Sequence, residues 1–224
     1  MGKNPTEYSD QTMLKYIRFR LFKLIQTPFS AVIRKRRMSV FEKIFQPSEG
    51  MRILDLGGQP EIWDTVKPSL AITCINLPGI AKSNHPTHHE ITYIEGDACS
   101  MPCFKKGEFD LIFSNSVIEH VGGQKKQLQF ADEVLRLSEN YWIQTPSIYF
   151  PIEAHCGMPF WWLYPKWLRT YFLSRWSEKL PAWSEMVATT TVLSKQQVTK
   201  LFSGCKIKIE WLIFPKSIIA YSKN

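Results

Sequence analysis

A chain of 224 residues with 44 % hydrophobic and 21 % charged residues has room for one domain with additions and enough apolar content for a folded core. No apolar run reaches the ~18 residues of a spanning helix, Met1–Asp10 is too polar for a signal peptide, and the five cysteines (Cys74, Cys99, Cys103, Cys156, Cys205) show no CxxC or metal-ligand spacing. Membrane-spanning and disulfide-scaffold classes are thereby set aside, and a cytoplasmic protein with reduced thiols is expected.

The net charge of +8 is concentrated at one end: residues 1–50 hold ten Lys/Arg against four Asp/Glu. From Leu14 to Ile25, the residues Leu14, Ile17, Leu21, Leu24 and Ile25 fall on one helical stripe, with Lys15, Arg20 and Lys23 on other faces. Pro28 breaks that helix. A second is expected from about Ser30 to Phe45, with Val40, Phe41, Ile44 and Phe45 inward and the run Arg34-Lys35-Arg36-Arg37 on it. Residues 1–48 thus form a basic helical extension, which either caps the domain or lies on an anionic membrane. A run of this charge suits nucleic acid, an anionic surface or plain solvent.

Beyond Gly50 the pattern changes to short apolar runs closed by turns. Strands are expected at Met51–Leu56, Ala71–Leu77, Ile91–Glu95, Phe109–Ser114 and Tyr141–Gln144. Before the last of these, Leu128, Ala131, Val134 and Leu135 mark one face of a helix. Alternating strands and helices predict a parallel sheet covered by helices on both faces. Residues 147–187 interrupt the alternation with an insert rich in aromatics, including Trp161, Trp162, Trp167, Trp176 and Trp183. Ser194 and Gln197 have capping-box spacing before a short helix that Gly204 would end. Ile207, Ile209, Trp211 and Ile213 then alternate as the inward residues of a strand, Pro215-Lys216 turns, and Ser217–Tyr221 returns. The expected fold is α/β: Rossmann-like, mostly parallel, with an antiparallel C-terminal hairpin.

Ligands of open parallel sheets bind at the carboxyl ends of the strands. The polar or small residues there are Asp55, Gly57, Gly58, Asn76, Asp97, Ser114 and Asn115. Asp55 could meet an ammonium group, Asn76 ribose hydroxyls, and Asp97 an exocyclic amine. Glycine after the first strand lets a ligand approach the backbone. Each residue also has a purely structural use as a turn or cap, but their joint arrival at successive strand ends favours a site.

The series ILDLGG, CINLPG, EGDACSMP, FDLIFSNSVIEHV and a strand ending in QTP resembles the motifs of class I S-adenosylmethionine-dependent methyltransferases. More narrowly, LDLGGxP, SNSVIEHV, PIExH and PKSIIAY resemble a bacterial group of small enzymes of that class, over roughly Arg34 to Tyr221. The resemblance implies a seven-stranded sheet in a domain spanning 49–224. It also implies S-adenosyl-L-methionine as cofactor. Asp55 and Gly57 would hold its methionine part and Asn76 its ribose. Asp97 with Ala98 would hold the adenine, and Ser114-Asn115 would border the sulfonium. Two departures stand out. Gln59 and Glu61 occupy positions where the motif prefers glycine, and Asn76 replaces the usual ribose carboxylate.

Methyl transfer to oxygen, or to a protonated amine, needs a base. His120, with Glu119 beside it, is the candidate catalytic pair, and Glu153 and His155 are candidate acceptor-pocket residues. His85, His88 and His89 lack a completing ligand for a metal site, so no metal is expected and a solvated loop is the better expectation. The insert's Trp and Tyr beside Lys and Arg suit either a lid packed on its own domain or a membrane interface. The expected function is methyl transfer to an O or N atom of a small molecule, such as a lipid or a glycan-linked or other metabolite. The protein would be cytoplasmic, with peripheral contact at an anionic membrane as an open partner. The alternative is a non-catalytic relative binding membrane or RNA through the basic N-terminal region. Nucleic acid is disfavoured, because the catalytic portion carries only a small basic excess and no RNA-binding motif. A nicotinamide-dependent dehydrogenase is disfavoured because GxGxxG is absent.

Overall fold

A computed structural model describes residues 31–153 and 156–224. The helix expected over Leu14–Ile25 and the acceptor-pocket candidate His155 lie outside the described residues. One seven-stranded sheet organises the rest: β1 (Arg52–Leu56), β2 (Ala71–Asn76), β3 (Glu90–Glu95), β4 (Leu111–Asn115), β5 (Tyr141–Pro146), β6 (Lys206–Trp211) and β7 (Pro215–Ser222). The strand order is β3-β2-β1-β4-β5-β7-β6. β1 to β5 pair in parallel, whereas β7 runs antiparallel between β5 and β6. The Rossmann-like sheet with an antiparallel C-terminal pair is therefore present as expected.

The crossovers are less regular than a doubly wound fold suggests. Of the parallel connections, only β4 to β5 passes through an α-helix, α2 (Gly123–Leu137). The segments 57–70, 77–89 and 96–110 cross as turns, with one 3-10 turn at Pro60–Ile62. Each contains Pro and Gly, which remove helix donors and raise backbone entropy. The segment 96–110 packs Met101, Phe104 and Phe109 with α2, whereas the face crossed by 57–70 is covered from elsewhere. Helix α1 (31–45) lays Met38, Phe41 and Phe45 on the sheet, with Trp63 and Val66 from the first crossover beside them. Phe41 is fully buried and its ring meets those of Phe45, Trp63, Phe113 and Trp142 at 5.1–5.7 Å. Burying one such side chain contributes about 1.5–3 kcal/mol. Phe41 and Phe45 thus face inward as expected, while Val40 and Ile44 pack at the rim.

The other face is covered by α2 and α5 (Lys195–Leu201), whose capping box is formed in full: Ser194 Oγ accepts from the Gln197 amide while the Gln197 side chain accepts from the Ser194 amide. Two expectations need correction. In α2 the inward residues are Gln127, Phe130, Ala131, Val134 and Leu137, while Leu128 and Leu135 are 51 % and 39 % exposed. Those two leucines lie just off the stripe that the sheet covers. At the C-terminal hairpin the reversal falls at 212–214, and Pro215-Lys216 already belongs to β7. A register shift beside Glu210 and Trp211 ends the alternation, leaving Trp211 and Ile213 exposed on the edge.

Residues 147–193 form the insert, with a 3-10 turn at Trp161–Leu163 and helices α3 (Lys166–Ser177) and α4 (Pro181–Thr189). No helix among the described residues is long and apolar enough to cross a membrane.

Candidate functional site

β1 leads to β2 on one side of the sheet and β4 leads to β5 on the other, so their neighbouring carboxyl ends form the switch point where a cleft is expected. A cavity of about 190 Å³ opens there, lined by Asp55, Gly57, Gly58, Glu61 and Asn115, with Arg34 from α1. A shallower depression among Asp64 and His85–His88 lies away from these strand ends.

Asp55 sits beneath the turn that follows β1. Its Oδ2 accepts a 2.8 Å hydrogen bond from Trp63 Nε1, while its buried Oδ1 has no partner among the described residues. Burial, only partly offset by Trp63, pushes its pKa up to about 7. The turn itself requires glycine. Gly57 has a φ of +70°, and a Cβ there would lie 2.6 Å from Val117 Cγ2. A Cβ on Gly58 would fall 2.1 Å from the Asp55 carboxylate. These two glycines therefore make a cradle whose floor is a carboxylate with an unused acceptor.

The neighbouring strand ends are tied to this turn. Gly57 N donates to the Ile75 carbonyl at 2.8 Å, and Asn76 Nδ2 donates to the Gly58 carbonyl at 3.1 Å, which leaves Asn76 Oδ1 as its acceptor. Asp97 Oδ1 accepts from the Cys99 amide at 2.8 Å, and its Oδ2 pairs with Lys126 Nζ at 2.9 Å. Partial burial opposes ionisation of Asp97, but Lys126 and the Cys99 amide outweigh it and hold the carboxyl below its ordinary value. Ala98 follows at the entrance to that turn. Ser114 is fully buried and its hydroxyl donates to the Leu56 carbonyl at 3.4 Å. Asn115 reaches the cleft and is followed by Ser116 in the left-handed region at φ 59°, a conformation a non-glycine residue holds only when its surroundings enforce it. Enforcement comes from Gln144, whose carbonyl accepts from Ser116 N and whose Oε1 accepts from Ser116 Oγ, both at 3.0 Å.

Gln144 also exposes what the sequence hid. Arg37 is buried, although it reads as the last residue of a solvated basic run. Its Nη1 donates to Gln144 Oε1 at 2.9 Å and to Asn115 Oδ1. Its Nε and Nη2 form a bidentate pair with Glu210 at 2.8 and 2.6 Å. One guanidinium thus joins α1, β4, β5 and β6 behind the cleft. Its i−4, i+4 and i+8 relation to Ile33, Phe41 and Phe45 was the available signal, since all four are buried on one stripe.

The candidate catalytic pair is placed beyond β4. Glu119 is fully buried, accepts from Thr145 Oγ1 at 3.1 Å and offers its carbonyl to the Thr191 amide at 2.7 Å. His120 is exposed, and its Nδ1 lies 3.2 Å from Thr190 Oγ1. The Thr190 hydroxyl also lies 2.8 Å from the Met186 carbonyl, to which it can donate. Glu153 is buried in the insert and accepts from the Cys156 amide at 2.6 Å.

The histidine loop is a correction. His89 is buried: Nδ1 accepts from the Leu70 amide at 3.2 Å, and Nε2 donates to the Trp63 carbonyl at 3.0 Å. It is a structural clamp on the residue that holds Asp55. His85 pairs with Asp64, and His88 Nε2 bonds the Val66 carbonyl. Among the described residues, no three His, Cys, Asp or Glu side chains converge on a metal-sized site.

Comparison with known proteins agrees with the fold. Residues 71–140 match the family described as "Methyltransferase domain". Among solved structures, the chain superposes on phosphoethanolamine N-methyltransferase 2 of Haemonchus contortus in complex with S-adenosyl-L-methionine, with a TM-score of 0.53, 13 % identity, and coverage of 84 % of this chain and 52 % of that one. The PH0226 protein of Pyrococcus horikoshii OT3 gives a TM-score of 0.54, 14 % identity, and coverage of 88 % and 92 %. The CurJ carbon methyltransferase gives 0.51, 14 % identity, and coverage of 82 % and 51 %. The chain therefore spans about half the length of the first and third of these. No protein of curated function matches the sequence.

Proposed function

We propose that the protein is an S-adenosyl-L-methionine-dependent methyltransferase acting on an O or N atom of a small-molecule acceptor, a lipid or a glycan-linked or other metabolite. The observation that carries this is the cradle at the switch point. A buried carboxylate with an unused oxygen lies under two glycines whose Cβ positions are already occupied. Such a place fits an ammonium-bearing chain lying close to backbone. The methyltransferase-domain match over 71–140 supports the same identification.

Within this proposal Asp55 and Gly57 hold the methionine end, and Asn76 Oδ1 takes a ribose hydroxyl. Asp97 shares its Oδ2 between Lys126 and the adenine amine, and the Ala98 backbone borders the ring. When bound, the cofactor supplies a methyl group on a sulfonium and a neutral thioether as leaving group. The chain's own work is then alignment and proton removal. Asn115 and the constrained Ser116 set the edge of the reaction site, with Arg37 and Gln144 fixing them from behind. His120 takes the acceptor's proton, with Thr190 beside its Nδ1. Glu119, buried, positions the segment that carries His120. Glu153, with His155 outside the described residues, lines the acceptor side. A cytoplasmic location, with peripheral contact at an anionic membrane left open, goes with this proposal.

Calorimetric titration with S-adenosylmethionine and S-adenosylhomocysteine tests this, with Asp97→Ala as control. Saturable binding weakened by the substitution is expected. Absence of binding by folded protein would transfer the assignment to a non-catalytic interaction protein of the same fold.

A further inference from the structure

The insert contains two sets of aromatic side chains with opposite fates. One set packs on itself: Trp161 stacks on Trp176 at 5.3 Å, Trp176 meets Trp183 at 4.9 Å, and Phe172 lies 5.7 Å from Trp176. These rings suffice to hold α3 against α4. The other set lies largely outside that core, with Tyr171 meeting the Phe172 ring at 5.7 Å. Trp167 is 71 % exposed and Tyr171 55 %, one turn apart on α3, with Leu163 before them and Leu180 after them at similar exposure. No residue of α3 is buried, although the helix is twelve residues long. Exposing this much aromatic surface in water is unfavourable unless something else covers it.

The charges around it indicate what does. Between Phe160 and Leu180 the chain has Lys166, Arg169, Arg175 and Lys179 against Glu178 alone. Arg169 lies over the Trp162 ring at 5.9 Å. No ion pair among the described residues engages Lys166, Arg175 or Lys179. Exposed Trp and Tyr mixed with unpaired cations are suited to the headgroup layer of an anionic bilayer, where the rings sit at the boundary and each cation adds attraction. A second copy of the chain would bring the same cations against themselves, which disfavours self-association through this face.

We infer that the α3 face carrying Trp167 and Tyr171, with Leu163 and Leu180, is a docking surface for anionic membrane. The insert begins at the carboxyl end of β5 and returns through Thr190 and Thr191 to His120 and Glu119, so docking brings the lipid surface to the same end of the sheet as the cleft. Docking is independent of methyl transfer.

The test is co-sedimentation of the full chain with phosphatidylcholine vesicles, with and without phosphatidylglycerol, for the wild type and Trp167→Ser/Tyr171→Ser. A second variant, Lys166→Glu/Lys179→Glu, addresses charge alone. Circular dichroism and the thermal midpoint establish that the variants are folded, since none of these side chains is buried. Expected are salt-sensitive binding to the anionic vesicles only, and roughly tenfold or greater weakening in each variant. Failure of the wild type to bind would overturn the inference. So would binding that both variants retain, which would place the contact elsewhere in the chain, or a vesicle-free dimer that the aromatic variant dissociates.

Discussion

Replacing Asp55 by Asn isolates the energetic consequence of a carboxylate held under the glycine turn. Burial raises the Asp55 pKa from 3.8 to about 7 in the folded chain. Between those values the native state keeps a proton that the unfolded chain has released, so stability falls as pH rises through that window. Integrated from about pH 5 to about pH 8, the loss is about 2.5 kcal/mol, at about 1.4 kcal/mol per pKa unit. Asn has the same outline, still accepts from Trp63, and cannot ionise. Urea unfolding of both proteins across this range should therefore show the variant gaining on the wild type by about 2.5 kcal/mol as pH rises. Comparing the two at each pH cancels every other titrating group, His89 included. A stability difference that is the same at both ends of the range would refute the account of Asp55 as a buried, uncompensated acid.

Four further outcomes follow from the same geometry. If a ligand ammonium meets Asp55, binding of S-adenosylhomocysteine near pH 7 should expel about half a proton per site, read as an enthalpy that depends on the buffer. Burial holds His89 below the ordinary histidine value of 6.5, so its contribution is complete above that value and is lost as pH falls below it, where the unfolded chain takes up a proton first; His89→Gln should flatten this acid limb in thermal melts. Arg37→Ala leaves Glu210, 12 % exposed, without its partner and should destabilise by about 3 kcal/mol, and a double-mutant cycle with Glu210→Ala should show strong coupling. Gly57→Ala combines a left-handed φ, costing about 1–2 kcal/mol, with a clash at Val117; adding Val117→Ala should recover the clash in denaturant titrations but not the backbone part.

Most of the parallel strands were legible because they are short apolar runs closed by Gly, Pro or Asp, and a buried parallel strand has few other ways to look. The crossovers were harder to read. Their turn residues were visible, but nothing local announced that α1, from before β1, would replace a helix on the face that 57–70 crosses. Arg37 shows the same limit. Four consecutive basic residues look alike in a list of charges, and only the stripe through Ile33, Phe41 and Phe45 separates the buried one from its neighbours. Asp55 and the glycines were readable from position, whereas Trp63 and His89 were not, since their roles depend on a fold of the first two crossovers that no periodicity encodes. Leu128 and Leu135 failed for a simpler reason: a stripe chosen by hydrophobicity alone drifted off the face that the sheet covers, which Phe130 and Leu137 occupy.

The placement of β7 between β5 and β6 also sets an order of assembly. β6 is synthesised first, yet among the described residues its strand partner is β7, which must be complete before β6 can join the sheet. Until residues 215–222 leave the ribosome, the nascent sheet ends at β5, with Tyr141–Pro146 presenting an open row of amides and carbonyls beside the apolar Trp142 and Ile143. An unpaired strand of that kind is where nascent chains pair wrongly with one another. The window of vulnerability during synthesis therefore closes with Ile218, Ile219 and Ala220, so that truncation or slowed translation just before them should favour aggregation over a merely shortened native fold.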